Sequence, residues 1–137
     1  MRRILFVLFA TLLTTVTVSA ASTFDANPKA SDAAVVVAGN ARFTVLTPQL
    51  IRMEWSEESL FEDKASLTFI NRNLPVPQFK VKKSGKKVTI NTSCVTLTYV
   101  DGSGPFNATN LKVEFLTAGK KTVWTPGMDD KGNLMGT

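Results

Sequence analysis

Histidine is missing altogether from the 137 residues. Its absence removes the commonest general base, the commonest metal ligand and every Ser-His or Cys-His nucleophilic pair. Cysteine occurs once, as Cys94, so no disulfide can close within the chain. An unpaired cysteine in an exported protein either pairs elsewhere or lies buried as a small hydrophobe, and the place of Cys94 at the head of an apolar alternation favours burial. No stretch carries an apolar stripe at helical spacing. The best, Ser56 to Ala65, holds four acids and two large apolar residues and supports one turn at most. The glycine-rich Asp101-Gly102-Ser103-Gly104-Pro105 precedes no helix and lacks the Gly-Lys-Ser/Thr of a phosphate loop. Potential metal ligands come only as adjacent pairs, Glu62-Asp63 and Asp129-Asp130. Neighbours on a strand point to opposite faces, so no metal site and no cofactor is expected, and nothing supports calcium between loops. No internal repeat is visible.

Long apolar runs are equally scarce, and the one present lies at the start. Arg2 and Arg3 precede the apolar stretch Ile4 to Leu13, and Val18-Ser19-Ala20 ends in small residues. This is the layout of a secretory signal peptide over residues 1–20 with cleavage after Ala20. The stretch is too short for a spanning helix, which needs about 20 apolar residues. The expectation is a secreted protein with no membrane association after cleavage. Losing Arg2 and Arg3 lowers the formal net charge from +5 to +3. Lys82, Lys83, Lys86 and Lys87 cluster around Ser84-Gly85 with no interleaved aromatic, which reads as a solvated hairpin tip and not as a nucleic-acid surface. Two sequons, Asn91-Thr92-Ser93 and Asn107-Ala108-Thr109, make Asn91 and Asn107 glycosylation candidates in a eukaryotic host.

Residues 21–33 are small and polar, contain Pro28 and show no periodicity, so they read as a flexible linker. From residue 34 the chain alternates with period two. Phe43 and Val45 share a face against Arg42 and Thr44, and Ile51, Met53 and Trp55 one against Arg52 and Glu54. Phe79 and Val81, Val88 and Ile90, Val95, Leu97 and Tyr99, then Leu111, Val113 and Phe115 repeat the pattern. Such alternation marks half-buried strands. Turn residues separate the runs at Thr47-Pro48-Gln49, Ser84-Gly85, 101–105, Ala118-Gly119 and Pro126-Gly127. About eight short strands at this spacing predict an all-β protein, an antiparallel β-sandwich over residues 34–137.

One stretch interrupts the rhythm. Residues Phe61 to Phe79, FEDKASLTFINRNLPVPQF, place an acidic turn before the apolar Leu67 to Ile70, then Asn71-Arg72-Asn73 and a Leu-Pro-Val-Pro link. The two prolines predict a stiff extended connector between two strands. This stretch resembles the N-terminal β-domain (galactose-mutarotase-like) of family-31 glycoside hydrolases, the α-glucosidase and α-xylosidase group. Ala41 to Glu54 (ARFTVLTPQLIRME) upstream and Asn133 to Thr137 (NLMGT) downstream fit the same pattern in the same order, so the resemblance spans about residues 35–137. It implies that further strands of the domain follow, and then a catalytic barrel, so the sandwich is expected to be incomplete at its C-terminal end. In that family the nucleophile and the acid are aspartates of the barrel, and no position of this sequence matches their motifs.

Hydrolysis of a glycosidic bond needs two carboxylates across it, about 5–5.5 Å apart in retaining enzymes. Glu57, Glu58, Glu62 and Asp63 are available but share one loop and read as a solvated turn. No catalytic residue is therefore expected, and the role implied is that of a supporting domain at the rim of a sugar pocket. Its partners would be an α-glucoside or α-xyloside, through the whole enzyme, and the catalytic barrel. Sugars are held by aromatic faces and planar polar groups. Trp55 and Tyr99 are in phase with core positions, whereas Phe106 and Trp124 lie in or beside turns and are expected to be exposed. Arg72 is the polar candidate, with pairing to Glu62 or Asp63 as the other account. A free-standing secreted carbohydrate-binding module and a β-sandwich interaction protein without a sugar role are the alternatives.

Overall fold

The computed structural model describes residues 26–129 and Gly132. Residues 1–20, the cleavage point at Ala20 and the Asn133–Thr137 motif lie outside the described residues. Among the described residues the fold is all-β, with a single 3₁₀ turn at Asp32–Ala34. Three strands, β1 (Val35–Ala38), β2 (Ala41–Thr47) and β3 (Leu50–Trp55), form one sheet in the order β1-β2-β3. Five more, β4 (Lys80–Ser84), β5 (Lys87–Asn91), β6 (Val95–Val100), β7 (Leu111–Thr117) and β8 (Lys120–Trp124), form a second in sequence order. Every pairing is antiparallel and between consecutive strands, so two meanders face one another.

Hairpin chemistry sets the register. Two-residue loops join β1 to β2 at Gly39-Asn40, β2 to β3 at Pro48-Gln49, β4 to β5 at Gly85-Lys86 and β7 to β8 at Ala118-Gly119. Given that register, alternation puts Phe43 opposite Met53 and Val45 opposite Ile51 on the inner face of the first sheet. In the second, Val88 lies opposite Tyr99 and Ile90 opposite Leu97. These inner faces meet in one core of Val36, Ala38, Ala41, Phe43, Val45, Val88, Ile90, Leu97, Tyr99 and Leu111, with Phe43 and Tyr99 5.5 Å apart between ring centroids. Each large side chain removed from water there contributes roughly 1.5–3 kcal/mol. A bulge between Val45 and Thr47 inserts Leu46, which is buried although alternation alone would turn it outward. The lysine-rich β4–β5 tip is a hairpin whose β4 is exposed throughout, as a solvated turn requires. Lysines along an edge strand also discourage pairing with other chains.

The connection 56–79 between β3 and β4 crosses the outer face of the three-stranded sheet without regular structure, and Leu67 is fully exposed. The Leu-Pro-Val-Pro link at 74–77 is part of this connection, shortly before β4. Two expectations change. Cys94 is exposed, because the Thr92 hydroxyl accepts from the amides of Cys94 (3.1 Å) and Val95 (2.9 Å) and curls the chain before β6 begins. Phe106 points inward, with its ring 5.4 Å from Tyr99 and 5.8 Å from Phe43. The loop 101–110 is folded back by buried Asn110, whose Nδ2 donates to the Pro105 carbonyl (2.8 Å) while its Oδ1 accepts from the Asn107 amide (2.8 Å). The Tyr99 hydroxyl donates to the Gly104 carbonyl at 3.1 Å, closing the same loop from below.

Candidate functional site

The core does not close at one corner of the sandwich. β3 is an edge of the three-stranded sheet, while the opposite sheet continues past it to β7 and β8. Inner-face residues of those strands therefore have no facing strand among the described residues. A cleft of about 400 Å³ results, with Ile51 and Met53 on one wall, Leu97, Val113 and Phe115 on the other, and Trp124 at the rim. Alternation explains the lining. Val113 is paired with Trp124 and Leu97 with Val113, so the three project to one side of the sheet as a continuous apolar row. Leu116, 71% exposed, and Leu50, 43% exposed, extend the apolar surface out of the cleft.

The polar content of the cleft is small, since only Gln49 and Cys94 add polar side chains to its lining. A pyranose presents an apolar face ringed by hydroxyls, and recognition needs planar polar groups at that ring. A protein segment that brings apolar side chains suits this surface better than a sugar does. Trp124 is the aromatic best placed for contact with any partner, at 39% exposure and on the rim.

The other two candidates lie elsewhere. Phe106 packs on the core at the Tyr99 end, and Arg72 is 3% exposed on the far side of the three-stranded sheet. Its guanidinium donates to the backbone carbonyls of Pro28, Glu62 (3.0 Å) and Lys64 (2.8 Å). Thus it meets Glu62 through the main chain, and the Asp63 carboxylate pairs instead with Arg42 at 2.7 Å. The structure brings none of Trp124, Phe106 and Arg72 together. Residues 26–33, the described part of the segment read as a linker, are tied down on this side. The Arg72 amide donates to the Asn27 carbonyl (2.8 Å), and the Asn27 amide to the Asn71 side chain (2.8 Å).

Of the four acids considered for catalysis, Glu57 and Glu58 are exposed in the loop after β3, and the Glu62 side chain accepts from the amide of Lys64. No group of metal-ligating side chains occurs among the described residues. Asn91 ends β5 half-buried, accepting from the Thr96 hydroxyl at 2.9 Å, while Asn107 is exposed and its side-chain oxygen accepts from both the amide and the hydroxyl of Thr109. Sequence reasoning named Trp124 but missed the cleft around it, because a cleft is a mismatch in width between two sheets and has no local signal. No protein-family model matches the chain, and no curated protein matches it.

Proposed function

We propose that this chain is a secreted, non-catalytic β-sandwich domain of an α-glycosidase-type carbohydrate hydrolase, seated through its inter-sheet cleft on a catalytic barrel and supporting the rim of the sugar pocket. The carbohydrate class rests on the resemblance of residues 35–137 to the family-31 N-terminal domain. The seating rests on one observation: a core that stays open and apolar along Ile51, Met53, Val113, Phe115 and Trp124. Such a surface is costly in water, at roughly 25 cal/mol per Å² of apolar area, and is relieved when a protein surface covers it. In this reading Arg72 acts as a loop staple, and α-glucosides or α-xylosides are contacted by the assembled enzyme.

Sequencing the transcript past the codon for Thr137 tests this directly. An open frame running into a barrel with acidic residues at its strand ends is the expected result. An in-frame stop in an expressed transcript would overturn the reading. The rim position of Trp124 favours the second reading, a free-standing carbohydrate-binding module. Saturable quenching of tryptophan fluorescence by maltose, abolished in Trp124→Ala, would establish that alternative.

A further inference from the structure

The second recess of interest lies on the outer face of the three-stranded sheet, beneath the connection 56–79. It measures about 200 Å³ and is lined mainly by charged groups. β2 and β3 supply Arg42 and Arg52, the connection supplies Asp63 and Arg72, and Lys29 and Asp32 come from the segment before β1. Four cations thus face two acids, and Glu54 behind them brings the acids to three. One positive charge remains in excess.

The distribution of partners shows where that excess lies. Arg42 is doubly paired, with Glu54 and Asp63 each at 2.7 Å, and these bonds raise its pKa against the opposing effect of burial. Arg72 touches no carboxylate among the described residues: three of its five N–H groups go to carbonyls. Burial, followed by repulsion from Arg52, lowers its pKa. Arg52 shares its carboxylate: its Nη1 forms an ion pair with the Glu54 oxygen that also accepts from Arg42, its guanidinium carbon lies 6.0 Å from the Phe69 ring centroid, and it donates no hydrogen bond of regular geometry to any described residue. Glu54 thus serves two guanidiniums, and the charge of the second is only partly balanced. The recess is several times the roughly 30 Å³ that one water occupies in the liquid, so a small polyatomic group has room.

We propose that this recess binds a small oxyanion, the carboxylate, phosphate or sulfate group of a ligand, on the N–H groups of Arg52 that Glu54 does not take, with Lys29 completing the charge. A monoanion neutralises the excess charge. Two N–H···O bonds would also give Arg52 an acceptor that it does not share with Arg42. The bound group bridges the sheet, the connection 56–79 and the segment before β1, so binding locks these three pieces together. The site lies across the three-stranded sheet from the apolar cleft and does not depend on what fills that cleft.

The test titrates the full chain with sodium phosphate, sulfate and acetate at constant ionic strength, following the melting temperature and the ¹⁵N signals of the arginine Nε groups. Expected is a saturable rise in melting temperature with a parallel shift of the Arg52 signal. Arg52→Met should weaken the response by at least about tenfold, whereas Lys83→Ala, on the distant hairpin, should leave it unchanged. A response to acetate as well as to the tetrahedral ions identifies a carboxylate-type ligand, and a response to phosphate and sulfate alone a phosphoryl or sulfuryl one. No saturable response, a response retained in Arg52→Met, or a stabilised wild type with a motionless Arg52 signal overturns the proposal. The last readout needs no variant, so it holds even where Arg52→Met fails to fold.

Discussion

Arg72 spends its guanidinium on the backbone: three carbonyls from two irregular stretches, at Pro28, Glu62 and Lys64, converge on one planar fork. Irregular chain has no ladder to satisfy its polar groups, so a buried arginine serves where a strand partner would otherwise stand. Arg72→Met removes the donors and leaves the acceptors, and at about 1 kcal/mol for each lost bond it should cost about 2–4 kcal/mol in urea denaturation. A loss below about 1 kcal/mol would show that the loop holds without the staple. Charge at the surface works differently. Glu114 lies between Lys121 (2.9 Å) and Lys112 (3.1 Å), and hydrogen bonds from these two lysines hold its carboxyl below the usual 4.5. A carboxyl depressed on folding stabilises above its unfolded pKa, and that contribution disappears as pH falls through the folded value. Glu114→Gln should therefore lose stability relative to the wild type at neutral pH, with the two converging as pH falls from 4.5 through the depressed folded value when melting temperature is followed against pH. A gap of constant size down to pH 2 would mean that the carboxylate charge is not what matters.

Among the elements, those built on period-two alternation were legible and those built on tertiary contact were not. The strands β2, β3, β5, β6 and β7 could be read because one face of each meets the core, which forces apolar residues into every second position. Phe106, in contrast, sits among glycine, proline and asparagine, the composition of an exposed loop, and only the hydrogen bonds of Asn110 and Tyr99 turn that loop inward. Cys94 was misread for the converse reason: the Thr92 hydroxyl delays the start of β6 and leaves the thiol outside. The β7–β8 hairpin was legible as a turn from Ala118-Gly119, but its residues do not fully suit its geometry. Both have positive φ, 50° at Ala118 and 77° at Gly119. Paired positive angles are those of the type I′ hairpin, in which asparagine followed by glycine is the favoured pair. Alanine pays for the left-handed conformation with roughly 1 kcal/mol, and asparagine tolerates it better. Ala118→Asn should raise stability by about 0.5–1 kcal/mol, read as a higher denaturation midpoint with an unchanged slope. A drop in stability would mean that Ala118 does not hold that conformation in solution.

At the scale of the whole molecule, the two sheets differ in width, and that difference decides how the protein behaves alone. The three-stranded sheet is covered on both sides, by the core within and by the arginine-bound connection without, which is why β2 is buried on nearly every residue. The five-stranded sheet outreaches it, leaving Val113, Phe115 and Trp124 beside an open cleft and Leu116 in solvent. An apolar patch continuous with a core invites a cover, and the chain on its own is expected to associate with further copies of itself. Purified chain at tens of micromolar should bind a dye specific for exposed apolar surface and elute ahead of a monomer in size-exclusion chromatography. Leu116→Lys tests the cause, since an exposed side chain can change with a stability effect within about 0.5 kcal/mol while a charge is placed at the mouth of the cleft. The variant should elute later and bind less dye at the same melting temperature. A wild type that stays monomeric, binds no dye and melts sharply and reversibly would mean that the cleft is closed in solution, and would remove the observation on which the proposed seating rests.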